Sequence, residues 1–95
     1  MPTVDAFTIA GLDLAFLSND HWPPHFHATS PGAWEVRVYI LSTTADDLDF
    51  DTKWPPRGAG PNGRTQRTLR RLVVEHRSSL LDEFDRKVNF IPPSS

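Results

Sequence analysis

Ala33-Trp34-Glu35-Val36-Arg37-Val38-Tyr39-Ile40-Leu41 alternates along its length. Trp34, Val36, Val38 and Ile40 fall on one side of an extended chain, and Glu35, Arg37 and Tyr39 on the other. This period of two predicts a strand with one apolar face, and so a sheet with one buried side. Upstream, Leu12 to Leu17 repeats the pattern with Leu12, Leu14 and Phe16 together. Ala6–Ile9 is a shorter strand candidate, and Gly11 supplies the turn between the two. His25-Phe26-His27-Ala28 is expected to open a third strand, which Ser30-Pro31-Gly32 turns into the stretch at Ala33. Ser42–Asp51 is polar and acidic, with a short strand candidate at Leu48–Phe50. Residues 52–63 form a Pro/Gly-rich loop that neither a helix nor a central strand accommodates.

Beyond that loop the period changes. Leu69, Leu72, Val73, His76, Leu80 and Phe84 recur at spacings of three and four, which predicts one long helix from Thr65 to Val88. A bend is expected at Ser78-Ser79, because serine competes for backbone hydrogen bonds. Pro92-Pro93 ends regular structure, leaving 91–95 as an expected disordered tail. The expected fold is a single α+β domain over 1–95. In it a small antiparallel sheet of three to five strands packs against one long C-terminal helix in two layers.

A chain of 95 residues buries only a modest core. Without cysteine it has no disulfide, no thiolate metal site and no thiol nucleophile. No apolar run reaches membrane-spanning length, and no secretory signal is recognisable at the N-terminus, so a cytoplasmic location is expected. Residues 1–52 hold one arginine against eight carboxylates, and residues 53–95 hold nine cations against four. Such a split suits either a basic face for an acidic partner or two halves that complement each other.

The chemistry concentrates in Asp20-His21-Trp22-Pro23-Pro24-His25-Phe26-His27, which carries three of the four histidines. On a strand His25 and His27 share a face, with Cβ atoms about 7 Å apart, while Phe26 points the other way into the core. Three uses of these residues stay open. His21, His25 and His27, with Asp20 or His76 as further ligands, suit a divalent transition metal such as Zn, Fe, Ni or Cu, and metal-assisted hydrolysis could follow. Alternatively, His25 and His27 act as a metal-free acid–base pair on a phosphodiester, with Arg37 steadying the developing charge. In the third use the histidines are structural. Arg57 is a further anion contact within the loop.

Two other groups stand out. Arg64, Arg67 and Arg71 fall within about 60° on a helical wheel, flanked by Arg70 and Arg77, and suit the phosphates of RNA or a solvated, salt-bridged face. Trp22 and Trp54 each precede a Pro-Pro pair and are candidates for partner contact, whereas Trp34 belongs to the core.

Leu17-Ser18-Asn19-Asp20-His21-Trp22-Pro23-Pro24-His25-Phe26-His27, followed by Leu69-Arg70-Arg71-Leu72-Val73-Val74-Glu75-His76-Arg77 and Leu80-Leu81, resembles a bacterial family of small proteins. The likeness spans residues 5–90. Members carry Pro-Pro-His-x-His after a β-hairpin, matched here by Pro23, Pro24, His25 and His27. The chain departs from the family at Phe84, where tryptophan is usual, and in the longer Asp46–Gly63 stretch. The resemblance implies no defined activity. It implies a companion small protein in a toxin–antitoxin-like arrangement. A homodimer is a further possibility.

Overall fold

The alternating stretch at Ala33 lies inside an antiparallel meander. The computed structural model describes residues 2–17, 21–55 and 60–88. Its elements are β1 (Asp13–Ala15), β2 (His25–Ser30), β3 (Trp34–Tyr39), β4 (Phe50–Trp54), α1 (Gly63–Glu75) and α2 (Arg77–Lys87). The strands pair antiparallel in chain order. Gly32, with φ of +78°, closes the β2–β3 turn in a conformation that a Cβ would disfavour.

Register decides the faces. Leu14 lies opposite Ala28, Ala28 opposite Val36, and Phe26 opposite Val38. All five are buried, and they share one apolar cluster with Leu69 and Val73 of α1 and Leu80 and Phe84 of α2. The fold is α+β, with a four-stranded antiparallel sheet and two helices.

The expected single helix is two. The break falls at His76 (φ −111°, ψ 19°), two residues before the serine pair. The His76 amide still donates to the Leu72 carbonyl at 2.9 Å, and the Leu80 amide to the His76 carbonyl at 2.8 Å, so the change of direction is local. Asn62 caps α1, its side-chain oxygen accepting from the Thr65 amide at 2.9 Å.

The strand expected at Ala6–Ile9 does not form, for a reason that composition conceals. The amides of Asp5 and Ala6 both donate to the Glu83 carboxylate at 2.7 Å. A side chain from α2 has taken donors that a sheet ladder would have used. Pairing with β1 comes earlier instead, through the Thr3–Ala15 bridge and the Val4 amide on the Leu14 carbonyl at 3.0 Å. Lys87 completes the latch with Nζ 2.8 Å from both Glu83 and Asp5. Hydrogen bonding to Lys87, then its charge, holds the Asp5 carboxyl below its ordinary range.

The strand expected at Leu48–Phe50 begins at Phe50 and runs on to Trp54, so residues 52–54 leave the predicted loop and join the sheet. The two oppositely charged halves meet here and at the latch: Lys53 stands 3.6 Å from Glu35. Arg77 donates to the Thr43 carbonyl in the acidic stretch.

Candidate functional site

The same register that lines up the apolar residues lines up polar ones on the opposite, open face. Across β1, β2, β3 and β4, one row reads Ala15, His27, Arg37, Asp51. The next row pairs His25 with Tyr39. On the far side Asp13, Thr29 and Glu35 make a third row. Four strands therefore bring residues 38 positions apart in sequence into one lattice.

His25 and His27 form the floor of a depression of 340 Å³ on this face, with Arg37, Tyr39 and Lys53 beside them and Leu17, His21, Trp22 and Pro23 completing its lining. The two imidazoles stand with ring centres 5.3 Å apart. Although they lie on the face away from the apolar cluster, they are only 6% and 4% exposed. Burial of this depth holds their rings in place. His25 Nδ1 lies 2.8 Å from the Pro23 carbonyl oxygen. A carbonyl only accepts, so Nδ1 carries a proton and donates it. His27 Nδ1 faces Glu35 Oε2 at 3.4 Å.

Tyr39 packs on His25 with ring centres 5.6 Å apart and donates its hydroxyl to Asp51 at 2.7 Å. The hydrogen bond to Asp51, followed by burial, raises the phenol above its ordinary pKa, and Arg37 works the other way. The described lining thus holds two permanent cations, Arg37 and Lys53, and no carboxylate. Glu35 and Asp51 are its neighbours on the same face, Glu35 close to His27 and Lys53 and Asp51 engaged by Tyr39. A second depression of 440 Å³ adjoins the first and shares Leu17, His27 and Lys53 with it, but Asp13 and Glu35 make that end acidic.

His21 lines the depression with His25 and His27, whereas His76 does not. The His76 ring stacks on Phe7 at 5.5 Å, and Phe7 meets Phe26, whose side chain leaves the sheet on the apolar face. His76 is thus on the other side of the sheet from His25 and His27, which removes it from any shared ligand set. Asp20 and Arg57 lie outside the described residues. Among the described residues, no group of three His, Asp or Glu side chains is arranged to hold a metal ion.

Arg64, Arg67 and Arg71 do share a surface. They line a groove of 540 Å³ along α1 with Arg70, Val74 and Ala45. Arg71 is paired with Glu75 at 3.3 Å, and both are exposed, so the pair contributes little to stability. Trp34 is buried in the core, while Trp22 and Trp54 are 59% and 48% exposed.

Tyr39 and Lys53 are the site residues that sequence reasoning passes over. Tyr39 was within reach, since alternation already sets it beside Arg37, and an antiparallel β2 must then bring His25 to it. Lys53 was hidden because it was assigned to the loop. No helix among the described residues is long and apolar enough to cross a membrane. No protein-family model, no curated protein and no solved structure matches the chain.

Proposed function

We propose that the open face of the sheet binds a phosphate-bearing ligand and that His25 and His27 act on it as an acid–base pair. The observation that carries this reading is the lining itself: two adjacent imidazoles beside Arg37 and Lys53, with no carboxylate among the described residues that line it. Cations with low-dielectric walls attract an anion and stabilise charge that grows on it. In cleavage of an RNA phosphodiester, the neutral imidazole takes the proton of the 2′-hydroxyl as its oxygen bonds to phosphorus. The protonated imidazole gives its proton to the departing 5′-oxygen as that P–O bond breaks. Electrons and protons balance with no further reactant, the products being a cyclic phosphate and a free 5′-hydroxyl. Arg37 holds the non-bridging oxygens. The depression requires its sheet face to stay uncovered, so the architecture behind this reading has two layers, with both helices over the apolar face.

The test is cleavage of a short single-stranded RNA to cyclic-phosphate and 5′-hydroxyl ends by the purified protein, compared with Arg37→Gln and with His25→Asn/His27→Asn. Cleavage by the wild type that falls at least about a hundredfold in both variants supports the reading, since acid–base and electrostatic contributions are of that size. Uncleaved RNA and no phosphate binding would end it.

A second reading has its own support. Two imidazoles sharing one tetrahedral ion at Zn–N distances near 2.0–2.1 Å would hold their ring centres about 5 Å apart, close to the 5.3 Å here. Metal-bound histidines commonly have the other ring nitrogen hydrogen-bonded to a carbonyl, as His25 Nδ1 is to Pro23. His21 would be the third ligand of a Zn, Fe, Ni or Cu ion. Against it stand Arg37 and Lys53, which repel a dication. Calorimetry with zinc decides: saturable one-to-one uptake that vanishes in His25→Ala/His27→Ala favours the metal. Both readings include a cytoplasmic location, and a companion small protein of the kind the family resemblance implies. The arginine groove of α1 would then contact RNA or that companion.

A further inference from the structure

Trp22 sets the depression apart from a simple anion site. It is more than half exposed, yet it is not loosely held. Its ring meets Phe84 edge to face, with centres 6.2 Å apart and planes at 73°. Phe84 is buried and in turn touches Phe16 and His25, with ring centres 6.3 and 6.4 Å away. The indole therefore rests on an aromatic base that reaches into the core, so little rotamer freedom remains to be lost when a ligand arrives. With 59% of Trp22 exposed, part of the indole stays open to a ligand beside that contact.

That exposed ring lines the same depression as Arg37, Lys53 and the two imidazoles. An aromatic platform beside a cationic floor is the pairing that a nucleotide requires: a flat base to stack and a phosphate to neutralise. A volume of 340 Å³ is at the small end of ligand pockets, which run from about 300 to 1,000 Å³, and suits one nucleotide unit. The acidic row of Asp13 and Glu35 bounds the cationic zone, so a second phosphate is unwelcome there.

We propose that Trp22 is the stacking platform for a nucleobase, and that the ligand of the depression is a single nucleotide unit of single-stranded RNA. This rests on the phosphate reading above and adds the identity of the group attached to the phosphate. Because every base has a π-face, the site should be tolerant of base identity.

The experiment compares binding of inorganic phosphate and of adenosine monophosphate to the wild type, Trp22→Ala, Trp22→Tyr and Trp54→Ala by calorimetry. Trp22 rests on Phe84, so urea denaturation of each variant checks that the core is kept. The wild type and Trp54→Ala should bind the nucleotide about tenfold or more tighter than phosphate, in line with base stacking elsewhere. Trp22→Ala should lose that preference while keeping its phosphate affinity, and Trp22→Tyr should recover part of it. Phosphate binding without any preference for the nucleotide, or a preference that survives Trp22→Ala, would overturn this inference alone. Absence of phosphate binding by the wild type would overturn the phosphate reading and this inference together.

Discussion

Along the first half of β2 the two faces of this sheet bury side chains to similar depth with opposite chemistry. On one face Phe26 and Val38 are fully buried, and on the other His25 and His27 are almost as deep. The apolar face needs no further explanation, since each square ångström it removes from water contributes about 25 cal/mol. The open face gains less. A buried imidazole must find polar partners to offset lost hydration: His25 bonds the Pro23 carbonyl, while His27 Nδ1 only approaches Glu35, at 3.4 Å. A small domain has little stability to lose, so polar groups kept deep in a sheet face point to use rather than to packing.

The largest expected effect lies on the apolar face. Phe26→Ala should lower unfolding free energy by about 3–5 kcal/mol, measured by urea denaturation. A loss under about 1 kcal/mol would mean that the face is not the core described. Next comes Glu83, the one buried carboxylate among the described residues. Glu83→Ala leaves the amides of Asp5 and Ala6 without their acceptor and takes one of three partners from Lys87, and should cost about 2–4 kcal/mol. On the open face the pattern reverses. His27→Leu should change stability by less than about 1.5 kcal/mol in either direction, while phosphate affinity drops about tenfold or more. If stability collapsed and binding persisted, the two faces would share one role.

The smallest effect is a titration. Tyr39 is the chain's single tyrosine, so ultraviolet absorbance reports it alone. Its phenol should titrate above its ordinary range, and Asp51→Asn should bring it down. Because the folded-state pKa is raised, the protonated phenol adds stability that is complete below the ordinary tyrosine pKa and disappears as pH rises through the raised value. An unchanged midpoint in Asp51→Asn would show that the Tyr39–Asp51 contact is not the cause.

Much of this contrast was legible before any coordinates. Alternation at Ala33–Leu41 sorted β3 into its two faces correctly, and a single step of the same rule sent Phe26 inward and His25 with His27 outward. The α+β class followed from the change of period after the loop. Residues whose positions depend on distant partners were not legible. Glu83 reads as an ordinary solvated helix carboxylate until the amides of Asp5 and Ala6 arrive beside it, and that arrival cancels the strand expected at Ala6–Ile9. The helix break at His76 carries no Pro or Gly to announce it. His76 sits on a helical stripe that looked able to complete the histidine set, yet only the packing of Phe7 on Phe26 reveals that the sheet stands between them. Lys53 was lost because a proline pair two residues later made the whole stretch look like loop.

The central claim is that His25 and His27 meet a phosphate-bearing ligand on the open face. The most direct measurement is nitrogen-detected NMR of all four imidazoles during titration with inorganic phosphate at constant pH. The account predicts saturable shifts at His25 and His27, with His76 unmoved on the far side of the sheet. Shifts absent from both, or equal across the four rings, would contradict it.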